Sequence, residues 1–191
     1  MFLVVGLGNP GREYDGTRHN VGFMAVDELR RAEAWPDFKA KFSGLWTRGE
    51  LGAESVVLLK PQTYMNLSGD SVQAAATFLK VPANDIVVVH DELDLPWREV
   101  RLKVGGGHAG HNGIRSLIQH LGPDFVRLRI GIGKPPPGFR GDGADWVLSR
   151  FDAVEAAELA GVLDTALAAV RTVVRDGVSE AMKRVNTRPR T

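Results

Sequence analysis

Five histidines (His19, His90, His108, His111 and His120) and the acidic run Asp91-Glu92-Leu93-Asp94 are the groups best suited to move protons in this chain. There is no cysteine and no Gly-x-Ser-x-Gly elbow, so thiolate nucleophiles, Cys-held metals and a serine acyl-enzyme lose their usual carriers. The economical chemistry left is water activated by an imidazole acting as general base. His19 is the leading candidate, because it ends a polar loop directly before an amphipathic stretch that starts at Val21. A helix N-terminus disfavours the imidazolium, so the ring is expected to stay neutral and accept a proton. Such a base needs a carboxylate on its other ring nitrogen to select the tautomer. Asp91, expected as the first residue beyond an apolar strand ending at His90, is best placed, and Asp94 is the alternative. His90 itself reads equally as structural or catalytic, and His120, late in a helix, as a surface or capping residue.

Three asparagines, Asn9, Asn66 and Asn112, stand in turns next to regular elements. As turn residues they need no further function. Their uncharged amides nevertheless suit the holding of a peptide carbonyl or an oxyanion.

Two rival chemistries share these segments. His90, Asp91, Glu92, Asp94, His108 and His111 could ligate a divalent cation, but no His-Glu-x-x-His is present and His108-x-x-His111 lies in a glycine-rich loop. Gly6-Leu-Gly-Asn-Pro-Gly11 matches the dinucleotide fingerprint Gly-x-Gly-x-x-Gly. That fingerprint needs a helix opening at the glycines and an acid about 20 residues later at a strand end. Here apolar periodicity waits until Val21, and the corresponding region reads Arg30-Arg31-Ala32-Glu33. The glycines are therefore expected to make tight turns that leave Asn9 exposed beyond the carboxyl end of the first strand.

The elements that must hold these groups alternate in type. Phe2–Gly6, Val56–Leu59, Ile86–His90, Val100–Val104 and Val126–Ile132 read as strands. Val21–Arg31, with Asn20 as its cap, Ser68–Leu79, Gly113–Leu121 and Ala153–Asp176, ended by Gly177, read as helices. The expected fold is α/β: one domain over residues 1–191, with a twisted mixed, largely parallel sheet flanked by helices. Gly105-Gly106-Gly107 and residues 134–144 are the flexible candidates, the latter as a rim or lid. The tail from Lys183 to Thr191 reads as a frayed end or a contact arm.

At 191 residues, 43% hydrophobic and 25% charged, the composition is that of an ordinary globular domain. No apolar run approaches the ~18 residues of a membrane span, and the first residues lack the pattern of a secretory signal, so cytoplasmic residence is expected. The formal charge of +1 is unevenly spread: residues 1–102 carry 11 basic and 14 acidic side chains, residues 103–191 carry 13 and 9. A basic second half is compatible with a polyanionic partner.

The loops, taken in order, resemble the bacterial peptidyl-tRNA hydrolase family. The matching segments are Val4-Val-Gly-Leu-Gly-Asn-Pro-Gly-Arg-Glu-Tyr14, Thr17-Arg-His-Asn-Val-Gly-Phe23, Lys60-Pro-Gln-Thr-Tyr-Met-Asn-Leu-Ser-Gly69, His90-Asp-Glu-Leu-Asp-Leu-Pro96 and Gly105–Gly113, continuing through Arg127-Leu-Arg-Ile-Gly-Ile-Gly133. The resemblance covers nearly the whole chain. It implies hydrolysis of the ester between a peptide and tRNA, with no metal or other cofactor and no obligate protein partner, by a monomer. It further implies His19 as base, Asp91 as its partner, and Asn9, Asn66 and Asn112 as groups that position substrate and water. Tyr14, Met65 and His111 would line the cleft, and Lys103 and Arg129 would hold tRNA phosphate. Trp97 is bulkier than the resemblance suggests, and Ala109 stands where the family often has glycine, which bears on the motion of a gate. Three other readings stay open from the residues: a non-enzymatic RNA-binding relative, a metal-dependent hydrolase and a dinucleotide-binding module.

Overall fold

The computed structural model describes residues 1–186. In chain order its elements are β1 (Phe2–Gly6), α1 (Val21–Ala32), β2 (Lys39–Lys41), β3 (Gly44–Leu51), β4 (Glu54–Pro61), α2 (Ser68–Leu79), β5 (Ile86–Glu92), β6 (Val100–Val104), α3 (Asn112–Leu121), β7 (Val126–Gly131), α4 (Gly143–Val147), α5 (Ala153–Asp176) and α6 (Val178–Asn186). Short 3-10 turns at Arg12–Tyr14, Arg18–Asn20 and Met65–Leu67 fill the functional loops. All seven strands join one sheet in the order β2-β3-β4-β1-β5-β7-β6. The four middle strands are parallel, and β2, β3 and β6 run antiparallel to their neighbours.

Runs such as Val87-Val88-Val89 leave no polar side to face water, so both faces of the sheet must be covered. Val4, Leu58, Val87, Val89 and Leu128 lie under α1, α5 and α6, while Leu3, Val5, Leu59 and Val88 lie under α2 and α3. Each such side chain contributes about 1.5–3 kcal/mol by leaving water. No helix among the described residues is long and apolar enough to cross a membrane.

The expected α/β fold with a mixed, largely parallel sheet is present, and the differences from the expected elements have physical causes. β3 reads poorly as a strand because Arg48, Gly49 and Glu50 interrupt its alternation, yet it pairs with β4 from Gly44↔Pro61 to Leu51↔Glu54. Gly49 makes room for Trp35, whose ring would lie 2.0 Å from an added Cβ. The tail also departs from expectation. Lys183 and Arg184 lie in α6, whereas Arg188 and Arg190 lie outside the described residues. Asn186, at the end of α6, accepts from Leu102 N at 2.8 Å and donates to Leu102 O at 2.9 Å. That amide substitutes for a missing strand and covers part of the sheet's open edge.

A third difference matters for chemistry. β5 continues to Glu92, so Asp91 is not beyond the strand but inside it, in register with Ile130. Alternation along β5 puts Asp91 on the face of Val87 and Val89, the face that α1 covers.

Candidate active site

α1 can start close to the sheet because two glycines meet there. A Cβ on Gly6 would lie 2.3 Å from Gly22 O, and one on Gly22 would lie 2.3 Å from Val89 O. The first glycine of the fingerprint-like run, expected to make a tight turn, lies in β1 and serves helix–strand packing instead. This close crossing lowers the Arg18–Asn20 turn onto the carboxyl ends of β1 and β5, where ligands bind in α/β sheets.

His19 then meets Asp91. Its Nδ1 is 2.8 Å from Asp91 Oδ2 and 3.0 Å from Oδ1. The same carboxylate takes a second imidazole, His111 Nε2, at 2.9 Å from Oδ1. An ionised carboxylate only accepts, so each ring presents an N–H to it. His111 Nδ1 accepts from Ile114 N at 3.2 Å and caps α3, which commits both of its nitrogens. His19 differs, since its Nδ1–H is held by Asp91 and its Nε2 is left as the proton acceptor. Asp94, the alternative partner, is exposed and lies 3.7 Å from Lys134 Nζ.

Electrostatics follow from this geometry. Burial opposes charging His19, but the charge of Asp91 and its hydrogen bond outweigh burial and raise the ring above its ordinary 6.5. The expectation that a helix N-terminus keeps this ring neutral is thus corrected, because a carboxylate at 2.8 Å acts more strongly than a partial dipole. Burial likewise disfavours the Asp91 carboxylate, yet the two imidazoles hold it well below the usual carboxylate range. His90 is structural in its bonding: its Nδ1 donates to Asp91 O at 2.8 Å, and burial, reinforced by the nearby His111, pushes it down to about 3. His120 links helices, with Nε2 at 2.8 Å from Asp70 Oδ1.

Asn9, expected to be exposed, is instead buried and fixed on three sides, because its amide and backbone bond to Met65 and Asn20. Its Oδ1 accepts from Met65 N at 2.7 Å, its N–H donates to Asn20 Oδ1 at 2.8 Å, and its carbonyl accepts from Asn20 Nδ2 at 3.0 Å. Asn20, expected to cap α1, makes no such cap and spends its amide on Asn9 instead. With Oδ1 committed, the Nδ2 of Asn9 is its remaining free polar end. Met65 is buried against Gly113, where an added Cβ would lie 2.6 Å from Sδ. Asn66, the next residue in that turn, is exposed. Asn112 is not in a loop before α3 but is its first residue, exposed, with Oδ1 accepting from Arg115 Nη2 at 2.5 Å. Tyr14, half-buried, forms no hydrogen bond to the His19 cluster, and its carbonyl accepts from Thr17 Oγ1.

Lys103 and Arg129 sit on adjacent strands, β6 and β7, two residues out of register, with Arg101 opposite Arg129. Lys103 is exposed, and Arg129 Nη1 lies 3.7 Å from Glu92 Oε1. Directly opposite Lys103 stands Arg127, which sequence reasoning passed over. It is buried, and its guanidinium donates to the carbonyls of Gly107, Gly106 and Pro123. The glycine loop expected to be mobile is therefore pinned at its base. Arg18 was passed over as well. It is buried beneath the Trp146 ring at 3.6 Å, pairs with Glu155 at 2.5 Å and donates to Arg150 O at 2.6 Å. Trp146 also donates to Gly133 O at 2.8 Å and meets Phe139 edge-on, so the 134–144 loop is anchored to the residue beside His19. A polar residue inside a motif was the available signal for both arginines, but only burial distinguishes bracing from contact with a ligand. Trp97 turns away to Phe151 at 5.1 Å between ring centroids. Ala109 has φ 47°, the left-handed region in which glycine is at ease.

Among the described residues, one group of potential metal ligands converges, His19, Asp91 and His111, with donor atoms within 4.8 Å of one another. It differs from the six residues that spacing suggested. Its three members satisfy each other by hydrogen bonds, and a cation held there would have to replace both of them.

Comparison with known proteins bears on the whole chain. The family model described as peptidyl-tRNA hydrolase matches residues 3–191. The peptidyl-tRNA hydrolase of Sorangium cellulosum is 56% identical over 191 residues, covering 100% of this chain and 86% of that protein. That of Geobacter metallireducens is 48% identical over 187 residues, covering 97% and 95%. Among solved structures, peptidyl-tRNA hydrolase from Acinetobacter baumannii superposes with a TM-score of 0.90 at 42% identity, covering 98% of this chain and 95% of that one. A whole-chain match, high identity and a shared fold agree, and the chain belongs to the peptidyl-tRNA hydrolase family of enzymes.

Proposed function

We propose that this chain hydrolyses the ester joining a peptide to the 3′ end of tRNA, with His19 as base for the attacking water. One observation carries the mechanism: the Asp91 carboxylate lies on Nδ1 of His19, so that in the neutral ring the lone pair is at Nε2. In this reading the water oxygen bonds to the ester carbonyl carbon while Nε2 takes its proton. The tetrahedral intermediate then collapses, the bond to the ribose oxygen breaks, and the imidazolium returns the proton to that leaving oxygen. Asp91 stabilises the imidazolium between the two steps.

Asn9, Asn66 and Asn112 supply neutral donors for the peptide amide and the oxyanion, with Tyr14, Met65 and His111 as the cleft walls. Recognition of an amide also explains how such a site spares aminoacyl-tRNA, whose free amino group cannot satisfy the same partners. Lys103 and Arg129 contact phosphate without reading sequence, as suits an enzyme that accepts many tRNAs. The test is cleavage of N-acetyl-aminoacyl-tRNA against unblocked aminoacyl-tRNA in EDTA. The wild type is expected to cleave the blocked ester selectively, and His19→Ala to lose about 10²–10⁴-fold in rate. Full activity in His19→Ala would sink the proposed base and leave the family membership untouched.

A further inference from the structure

β6 and β7 bring cations face to face. Lys103 stands opposite Arg127 and Arg101 opposite Arg129, and like charges directly opposite destabilise a sheet. Lys103 is exposed, whereas Arg127 is buried. Burial and the neighbouring Arg129 push the Arg127 guanidinium down, and Glu92, the acid that opposes them, is shared with Arg129. A buried cation that has to share its acid must be held by other acceptors.

Those acceptors are carbonyls at the base of the glycine loop. One terminal nitrogen of Arg127 donates to Gly107 O, and the other donates to Gly106 O at 2.8 Å and to Pro123 O at 3.3 Å. The planar fork of a guanidinium holds two successive carbonyls at once, whereas a lysine ammonium is a single compact charge. The segment held in this way meets a functional group at each end. At its start, a Cβ on Gly106 would lie 2.6 Å from Lys103 Nζ, so the ammonium lies against that glycine, whose φ is 94°. At its end, His108 O accepts from His111 N at 2.9 Å, and His111 Nε2 lies 2.9 Å from Asp91 Oδ1.

We propose that Arg127 is a positioning residue for the reaction: by fixing the carbonyls of Gly106 and Gly107, it sets Lys103 for phosphate at one end of the loop and His111 for the Asp91 carboxylate at the other. This role rests on the peptidyl-ester reading above, in which Lys103 meets phosphate and Asp91 orients His19. A displaced His111 leaves Asp91 with one imidazole and frees the carboxylate to turn away from His19. Misplacement by about 1 Å can cost about 10²-fold in rate. One buried side chain that touches neither substrate nor Asp91 thus governs both binding and turnover.

The test is cleavage of N-acetyl-phenylalanyl-tRNA by Arg127→Lys, which keeps the charge and loses the fork. kcat is expected to fall about ten-fold and KM to rise. In the His111→Ala background the same replacement should change kcat by less than about two-fold, because the loop then delivers no imidazole to Asp91. An arginine with a merely structural role would lower Tm and leave that non-additivity absent. Gly106→Ala, which strains the same segment from the Lys103 side, goes through the same cycle and decides the matter if Arg127→Lys does not fold. An unchanged kcat, an equal loss with and without His111, or full kcat in His111→Ala alone overturns the positioning role while the esterase reading stands. A wild type that leaves this ester intact overturns the esterase reading and the role with it.

Discussion

The centre of the sheet edge and its β6–β7 flank are built on opposite principles. At the centre, His19, Asp91 and His111 form one set and Asn9 and Asn20 another, all buried or nearly so, with bonds of 2.8–3.0 Å within each set. On the flank, Lys103 is exposed and Arg129 is only loosely matched by Glu92. Buried polar groups are costly unless satisfied, so the centre holds one geometry, as a reaction requires. Solvated cations act through charge at long range, so the proposed phosphate contacts of exposed Lys103 and half-buried Arg129 would not fix the partner's sequence. Asp91→Asn tests the first principle most severely. An amide cannot accept from two N–H groups as an anion does, and kcat should fall on the order of 10³–10⁴-fold in single-turnover cleavage.

The pH profile gives the sign of the same interaction. His19 is raised above 6.5, so the free base, and with it kcat/KM, should rise with pH through a value above 6.5. Removing the carboxylate should move that limb to lower pH. The stability contributed by the His19–Asp91 pair runs the other way: it is fully present below about pH 6.5 and is lost as pH rises through the folded value of His19. An acid limb that does not move in Asp91→Asn would break the proposed pairing.

Asn20→Ala probes how the centre is supported. It leaves the buried N–H and C=O of Asn9 unpaired, at about 1–3 kcal/mol for each group. Denaturant unfolding should show a loss of about 2–4 kcal/mol, accompanied by a higher KM. On the flank, Lys103→Ala should weaken tRNA binding by about ten-fold and reduce the salt slope of binding by about one, mainly through KM. A salt slope that stays the same would remove Lys103 from the phosphate contacts. The smallest effect belongs to the loop between the two regions. Ala109 is left-handed at φ 47°, which costs roughly 1–2 kcal/mol, while glycine loses more chain entropy, about 0.4–1 kcal/mol. Ala109→Gly should therefore raise stability by about 0.5 kcal/mol, seen as a slightly higher Tm.

Much of this was legible in the residues because it rests on local patterns. Apolar runs marked five of the seven strands, apolar periodicity marked the long helices and Gly177 the end of α5, and the lack of cysteine and of a serine elbow narrowed the chemistry to activated water. His19 stood out by its position before α1, and Asp91 by its place at the end of an apolar run. What the chain order could not decide was partnership across distance. His19 and Asp91 are 72 residues apart and Asp91 and His111 are 20 apart, so the choice of Asp91 over Asp94 waited on the strand that buries one and exposes the other. The second imidazole on Asp91, the bracing of Asn9 by Asn20 and the pinning of the glycine loop by Arg127 were likewise settled by burial. A side chain's type states which hydrogen bonds it can make, and only the tertiary structure, by removing water, dictates which of them it must make.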